Sequence, residues 1–303
     1  MRRVVALAVL VAALRAQEPE LAWSGRQSVG GKTDSAPSIA LLGTSIHLVH
    51  TGRKSNNLYH AVYDGKSWSA ETEIAGKESK GGPGLCAFDG KLHMVYVGAK
   101  SKGLFHATYD GRAWSEDSVL AGRKARGIPA LVVFDGKLQL LYVGESRPNI
   151  YISTFDGRTW SAESQVPGYD SDSSPTAAVF DGALHVASVR RDSNEVFEIT
   201  YDGRAWGSPT SIAGFSSHGA PCLFTSGGRL WMLGSEGKGA MRYCSSDGRT
   251  WGGAHEIPGQ ASAGPPGVVE LAEGPEPVLQ VIYRENDANA IWHTKGYSKK
   301  AKE

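Results

Sequence analysis

Short apolar or alternating runs, separated by turn residues, recur along the chain. Between Trp68 and Ala113 the runs are WSAETEI, GLCAF, KLHMVYV and LFHATY, and they contain many Val, Tyr, Phe and Trp residues. Such residues suit a half-buried pleated surface, so each run predicts one β-strand. No segment shows a sustained apolar period of 3.6 residues, which would indicate a helix. The pattern therefore predicts an all-β fold.

The four-strand pattern is a repeat. Five copies close with a phrase such as YDGRAW, and the aspartates of these phrases are spaced by 46, 46, 46 and 45 residues. These aspartates are Asp64, Asp110, Asp156, Asp202 and Asp247. Trp23, in the phrase AWSG, adds an upstream copy that has lost its Asp-Gly pair. A proline marks every copy, at Pro37, Pro83, Pro129, Pro175, Pro221 and Pro266. A fixed period of this length is the signature of a repeat architecture, here with six copies.

The ends of the chain favour one way of arranging these copies. Four-stranded units could form a sandwich, a solenoid or a propeller. The repeat region starts with an orphan strand, AWSGRQSV, and finishes with VLQVIYR and AIWHTKG, which lack a closing Asp-Gly-x-x-Trp strand. A ring closed by the N-terminal strand pairing into the last blade explains both ends and leaves no open edge. We predict one six-bladed β-propeller of four-stranded antiparallel blades over residues 17–296, followed by a basic tail over residues 297–303.

The chain opens with MRRVVALAVLVAALRAQ, a basic start followed by an apolar run from Val4 to Leu14. This is the form of a secretory signal peptide, predicted over residues 1–16. A membrane anchor is the alternative, but the run is too short to cross a bilayer core of about 30 Å. We therefore expect a secreted, periplasmic or extracellular protein without stable membrane insertion. Removing the three arginines of this segment takes the formal charge from +1 to −2, so nothing favours a nucleic-acid partner.

The repeated phrases resemble two known families. The run LHMVYVG…LFHATYDGRAWS resembles the six-bladed fucose-binding lectins of the Aleuria type, whose blades repeat an Ile-Arg-Val-Tyr strand, a Thr-Glu-Tyr-Ala-Trp-Asp-Gly strand and a following Trp. SSDGRTW, from Ser245, is similar to the Asp-box of sialidases, although one residue shorter between Asp and Gly. The resemblance covers Trp23 to about Gly296 and implies sugar sites between blades. The phrase itself is expected to be a turn with a tryptophan that packs between adjacent blades.

The lectin resemblance implies two sugar-binding positions in each blade. At the family's Arg position, ten residues after each of the first five prolines, the chain has His47, His93, Gln139, His185 and Trp231, and in the last blade it has Gln280, fourteen residues after Pro266. At the family's Glu position, four residues before each Asp-Gly pair, it has His60, His106, Ile152, Glu198 and Tyr243, with His293 in the last blade. No blade keeps the Arg and Glu as a pair, so the resemblance does not carry fucose specificity to this chain.

Three blades nevertheless keep polar pairs on neighbouring strands. Imidazole can donate to and accept from sugar hydroxyls, and an aromatic face can stack on a pyranose. The predicted carbohydrate-binding residues are His47, His60, His93, His106, His185 and Glu198, with the tryptophans Trp68, Trp114 and Trp206. The alternative is that these histidines pack between blades. Two histidines per blade fall short of a zinc site, so no metal or cofactor is expected.

These observations predict a non-catalytic, lectin-like protein with glycans as partners, and they leave two alternatives open. A sialidase-like hydrolase would need an arginine cluster, a Tyr–Glu pair and an acid Asp, but these residue types follow the repeat and no unique catalytic motif appears. A protein partner could instead use the variable loops opposite the Asp-Gly turns. There Arg123, Lys124 and Arg126 form a basic sector, and Asp170 and Asp172 an acidic one.

Overall fold

The computed structural model describes residues 19–168, 170–171, 173–273 and 277–298. The predicted signal peptide, residues 299–303 of the predicted tail and Asp172 lie outside the described residues. Within the described part, every regular element is a β-strand, which confirms the all-β prediction. No described segment forms a helix that could span a membrane.

The strands form antiparallel sheets that follow the sequence repeat. Two short N-terminal strands come first, β1 (Leu21–Trp23) and β2 (Gln27–Lys32). The first repeat unit contains β3 (Ser38–Leu42), β4 (Ser45–Thr51), β5 (Asn57–Tyr63) and β6 (Thr72–Glu78). The second and third units contain β7 (Gly84–Phe88), β8 (Lys91–Val97), β9 (Gly103–Tyr109), β10 (Ser118–Phe134), β11 (Lys137–Gly144), β12 (Ile150–Phe155) and β13 (Ser164–Gln165).

The remaining strands continue the same order. The fourth unit contains β14 (Thr176–Phe180), β15 (Ala183–Val189), β16 (Glu195–Tyr201) and β17 (Thr210–Ser216). The fifth contains β18 (Cys222–Ser226), β19 (Arg229–Glu236), β20 (Ala240–Ser246) and β21 (His255–Ala261). The last contains β22 (Gly267–Ala272), β23 (Pro277–Arg284) and β24 (Ala290–Ser298).

The second and third units depart from separate four-stranded blades. The long strand β10 pairs with β9 along its first part and with β11 along its second, so both units belong to one seven-stranded sheet. The register shifts between Leu120 and Lys124 and again between Arg126 and Ala130. These irregularities let one continuous chain segment leave one unit and enter the next.

The N-terminal strands lie in the sheet of the last unit. Leu21 of β1 pairs with Ser298 of β24, and Gln27 of β2 pairs with His293 of the same strand. The prediction that the N-terminal segment joins this sheet is therefore confirmed. Its layout differs from the predicted single closing strand, because two short strands pair with β24 in succession. Strand β24 also extends two residues into the range predicted as the basic tail.

The prediction that the run WSAETEI is the first strand of a unit is wrong. Trp68 makes only an isolated bridge to Tyr63, and the strand starts at Thr72. Thr72 pairs with His60 of β5, so β6 is the last strand of the first unit rather than the first strand of the second.

The first strands of the six units surround one central cavity. Strand β3 contacts β7, β10 contacts β7 and β14, β14 contacts β18, β18 contacts β22, and β22 contacts β3. The enclosed cavity measures about 210 Å³ and is lined by residues of all six units, including five of the six recurring prolines. Apolar side chains fill the space between neighbouring sheets, as where Leu58 and Ile74 pack near Met94. The six units are thus arranged around one axis.

The Asp-Gly phrase forms a tight turn. The Asp64 carboxylate accepts hydrogen bonds from the backbone N–H groups of Lys66 and Ser67, both at 2.8 Å. Gly65 has φ of +96°, a conformation that costs glycine little. The same bonds recur in the other four copies, and in each they hold the pKa of the aspartate below its usual range. The phrase is therefore a structural turn.

Candidate functional site

The structure brings together the two predicted histidine pairs. His47 lies on β4 and His60 on β5, and the His47 Nδ1 and His60 Nε2 atoms are 2.9 Å apart. His93 and His106 repeat this arrangement on β8 and β9, also at 2.9 Å. The rings stack with centroids 5.1 Å apart in both pairs. The prediction that these residues are neighbours is correct.

A tryptophan from the next unit completes each pair. The Trp114 indole N–H donates to His60 Nδ1 at 3.4 Å, and the Trp160 indole N–H donates to His106 Nδ1 at 3.3 Å. Because Nδ1 accepts, His60 and His106 carry their proton on Nε2 and donate it to the partner imidazole. The result is a directional relay of hydrogen bonds across the junction between two units. Trp160 was absent from the predicted site, although it follows His106 by the same 54 residues that separate Trp114 from His60.

The fourth unit uses a carboxylate in the same place. His185 Nδ1 lies 2.5 Å from Glu198 Oε1, and the Trp251 indole N–H donates to Glu198 Oε2 at 2.7 Å. The predicted pair is thus also brought together. Its tryptophan partner, Trp251, was not among the predicted residues.

At the junction between the last and first units, the same relay of hydrogen bonds ends on a side-chain amide. The Trp68 indole N–H donates to His293 Nδ1 at 3.3 Å, and His293 Nε2 donates to Gln280 Oε1 at 2.8 Å. Trp68 therefore contacts His293 of the last unit, which places this predicted residue at the seam of the ring. His293 and Gln280 occupy the two positions that the lectin resemblance marked, but the predicted site did not include them.

The six predicted polar residues are buried. His47, His60, His93, His106, His185 and Glu198 are between 4% and 8% exposed. Burial, and to a smaller extent the neighbouring imidazole of His47, lower the pKa of His60 to about 4. Burial and the neighbouring imidazole of His93 lower the pKa of His106 to about 4 in the same way. Neutral imidazoles suit the relay, because each ring both donates and accepts. Their geometry is that of packing groups between units, and sugar contact by them stays a prediction.

Trp206 differs from the other predicted tryptophans because it lines an open cavity. We call the position of His60, His106 and Glu198, which accept from a tryptophan N–H, the acceptor position. At the junction of the third and fourth units this position holds Ile152, which has no polar side-chain atom. A cavity of about 250 Å³ lies there, with Trp206, Tyr201, Gln139 and Thr154 among its lining residues. The Tyr201 and Trp206 ring centroids are 4.9 Å apart. Gln139 Oε1 accepts from the Thr154 hydroxyl at 2.7 Å, which orients the amide.

A second cavity lies where the fifth unit meets the N-terminal strand. It measures about 420 Å³, and its lining includes Trp23, Tyr243, His255 and Gln260. Trp23 and Tyr243 contact with centroids 5.6 Å apart. In the described structure, Trp23 Nε1 and Gln260 Oε1 are buried without a hydrogen-bond partner. Tyr243 stands at the acceptor position here, and its hydroxyl instead accepts from the backbone N–H of Leu21. The relay is therefore interrupted at this junction as well.

The other chemistry-bearing groups form no further site of their own. Among the described residues, no group of three or more His, Cys, Asp or Glu side chains is placed to hold a metal ion. The cysteines form no disulfide in the described structure, and burial raises the pKa of Cys86 to about 11 and that of Cys222 to about 12. Thiols with such high pKa values are poor nucleophiles.

Solved structures provide the comparison for this architecture. Neither a protein-family model nor a curated protein matches the sequence. The chain is similar to a mutant Aleuria aurantia lectin in complex with alpha-methyl-L-fucoside, with a TM-score of 0.68, 14% identity and coverage of 91% of this chain and 95% of that one. It is also similar to AofleA from Arthrobotrys oligospora, with a TM-score of 0.67, 11% identity and coverage of 94% and 91%.

A sialidase has a similar fold. For the Hadza microbial sialidase Hz136 the TM-score is 0.66 and the identity 13%, with 87% of this chain and 66% of that chain covered. The structural likeness confirms the resemblance to six-bladed β-propeller lectins of the Aleuria type. At these identities the likeness shows the fold alone, and the ligand has to be inferred from the site.

Proposed function

We propose that this protein is a non-catalytic β-propeller that binds glycans in the grooves between its repeat units. The observation that carries the proposal is the cavity at Trp206, where an aromatic wall meets an oriented amide, Gln139. Sugar rings bind to proteins by stacking an apolar face on an aromatic ring while hydroxyls exchange hydrogen bonds with fixed polar groups. The Aleuria aurantia lectin, which has a similar fold, was solved with alpha-methyl-L-fucoside bound.

The cavity at Trp206 supplies both elements of such a site. Tyr201 and Trp206 provide the aromatic surface, and the Gln139 amide and the Thr154 hydroxyl provide acceptors and donors. Lys137 and Asp135 line the same cavity and add charged groups able to bond hydroxyls. We propose this junction as the principal sugar site.

The histidine junctions predicted from the sequence are part of the same proposal, as additional and weaker sugar sites. His47, His60, His93 and His106 are buried at two junctions, where Trp114 and Trp160 donate to His60 and His106. A sugar could reach these imidazoles only if the packing at the junction opened. Sites there are therefore expected to be weaker than the site at Trp206.

The proposal includes one closed six-bladed ring and export from the cell. The pairing of β1 and β2 with β24 and the contact of β22 with β3 support ring closure. Repeated weak sites on one rigid ring gain avidity on a multivalent surface, even when each site alone binds poorly. We also propose secretion after removal of residues 1–16, which an intact mass of the mature protein would test.

A glycan array followed by titration calorimetry tests the binding proposal. Trp206→Ala should abolish or strongly reduce retention of the glycan found, with a melting temperature within a few degrees of the parent protein. The matched variant Trp160→Ala removes a tryptophan whose N–H is committed to His106, and should lose less affinity and more stability. Equal affinity of parent protein and Trp206→Ala for every retained glycan would contradict the assignment of the site.

A sialidase-type hydrolase is the second candidate, supported by the fold likeness alone. In the described structure the Tyr59 hydroxyl donates to Glu73 Oε2 at 3.4 Å on an exposed strand surface, and the Tyr96 hydroxyl donates to Asp117 Oδ2 at 2.6 Å. Burial and this carboxylate raise the pKa of Tyr96, which is the opposite of what an activated phenolate nucleophile requires. Lys77 also occupies the carboxylate, at 2.8 Å. Turnover of a fluorogenic sialoside by the purified protein would restore this candidate.

A further inference from the structure

The two faces of the disc carry different charge. On the face of the Asp-Gly turns, cations and carboxylates alternate and balance, because nearly every turn contains one of each. The cations are Lys66, Lys91, Arg112, Lys137, Arg158, Arg204, Arg229 and Arg249. The carboxylates are Asp64, Asp89, Asp110, Asp135, Asp156, Asp181, Asp202 and Asp247. With Glu273 of the connection after β22, the described turns of this face hold eight cations and nine carboxylates, which is close to balance.

The opposite face is unbalanced over the first three units. The connecting segments there are residues 51–56, 78–83, 98–102, 124–129 and 145–149. They carry eight cations, Arg53, Lys54, Lys80, Lys100, Lys102, Lys124, Arg126 and Arg147, which we call the basic loop surface. Two carboxylates occur in the same segments, Glu78 and Glu145, and they are engaged by Lys100 at 3.0 Å and by Lys102 at 2.8 Å. A third, Asp34, lies in the segment that leads into the first unit and accepts from the Lys54 backbone N–H at 2.6 Å.

The loops of this surface are adjacent to one another. Backbone hydrogen bonds join Ser79 to Asn56, Ala125 to Lys102, and Glu145 to Lys124, at 2.7, 3.0 and 3.1 Å. The ion pair between Lys102 and Glu145 adds a side-chain link between the second and third units. The cations therefore project from one continuous and well-tied belt of loops, which lets their fields add.

The other half of the loop face has the opposite balance. Its described connecting segments, from the one that leads out of the third unit to those of the last unit, hold four cations, Arg190, Arg191, Lys238 and Arg284. They also hold five carboxylates, Asp170, Asp192, Glu236, Glu285 and Asp287. A ligand that responds to charge would therefore bind to one side of this face.

We propose that the basic loop surface binds a sulfated polysaccharide. A chain with regularly spaced sulfates matches cations that project from successive loops of a curved belt. The five segments themselves contain no Phe, Tyr or Trp. The nearest rings, Tyr59, Phe105 and Tyr151, are half-buried against loop glycines, which makes them poor stacking platforms for single-stranded nucleic acid. This site lies outside the cavities between units and does not depend on the proposed sugar site at Trp206.

Titration with dextran sulfate, and with neutral dextran of the same length, tests the proposal. The parent protein should bind dextran sulfate at low ionic strength, lose affinity steeply as salt rises, and ignore neutral dextran. The triple variant Lys80→Glu, Lys124→Glu and Arg147→Glu should bind at least tenfold more weakly. All three side chains are exposed, so folding should be unaffected.

The matched control reverses three exposed cations of the turn face, Lys66→Glu, Arg112→Glu and Arg158→Glu, with the same change in net charge. It should bind dextran sulfate within twofold of the parent protein. Equal losses in both triple variants would overturn the proposal, as would equal binding of neutral dextran or of a single-stranded oligonucleotide. Trp206→Ala should retain dextran sulfate binding, so failure of the sugar-site proposal remains distinguishable from failure of this one.

Discussion

Acidification from pH 7 to pH 5 should weaken this fold, because three junction imidazoles are held neutral. Burial lowers the pKa of His60, His106 and His293 to about 4. In the unfolded chain these groups titrate at their ordinary pKa near 6.5. The unfolded chain therefore takes up protons first as pH falls. Stability that is complete above pH 6.5 is lost progressively between pH 6.5 and pH 4.

The size of the loss follows from the two pKa values. At pH 5 an unfolded imidazole is almost fully protonated while the folded one is almost fully neutral, which costs about 2 kcal/mol per histidine. Three such groups together remove about 6 kcal/mol. Folded domains are typically stable by about 5–15 kcal/mol, so the effect is a large fraction of the whole. The turn aspartates act in a lower window, since their depressed pKa values lie below the ordinary carboxyl value.

Urea unfolding followed by tryptophan fluorescence at pH 7, 6 and 5 measures this loss. In His60→Gln the pH-dependent loss should fall by at most about one third, because His60 is one of three groups with a pKa near 4 and burial also lowers the pKa of His47 and His93. Val49→Ala is the matched control: it removes buried apolar volume at the position that pairs with His60 in the sheet and should lower stability without changing the pH dependence. The reasoning is refuted if the parent protein is equally stable at pH 7 and pH 5, or if His60→Gln keeps the full pH dependence.

Two further substitutions address the junctions directly. Trp114→Phe removes the N–H that His60 accepts and should cost about 1–3 kcal/mol of unfolding free energy, whereas Trp206→Phe, opposite Ile152, should cost less; equal losses by urea unfolding would contradict the relay. Asp117→Ala leaves the buried Lys77 ammonium without its carboxylate and should cost about 3–5 kcal/mol. Adding Lys77→Met should restore much of that loss, and a double variant no more stable than the single one would argue against the ion pair.

The sequence predicted well whatever depends on local repetition. The spacing of the Asp-Gly phrase identified the turns, because the same Asp side chain must cap the same backbone N–H groups in every copy. The repetition also predicted that His47 lies close to His60, since two positions at fixed offsets in neighbouring strands must be close in an antiparallel sheet. The joining of the N-terminal segment to the last sheet followed from an unpaired strand at each end.

Contacts between side chains of different units could not be predicted from the sequence. The ion pair of Lys77 with Asp117 joins side chains 40 residues apart on two units, and no pattern within one repeat marks it. Burial of the imidazoles between units was left open as the alternative to sugar contact, because a histidine on an alternating strand looks the same whether a sugar or a tryptophan faces it. The boundary between the second and third units within β10 could not be recognised, since the run GIPALVV continues the extended chain straight into the third unit.

The pairing of Leu21 with Ser298 has a consequence for how the protein is made. A ribosome delivers the strand around Leu21 first and its partner strand β24 last, so β1 waits unpaired while nearly the whole domain is synthesised. Contacts of such long sequence separation are typical of slow folding. Until β24 arrives, the waiting segment and the incomplete last sheet expose unpaired backbone edges. Chaperone protection during synthesis therefore matters most for this segment, and the native ring forms only after translation has reached its final strand.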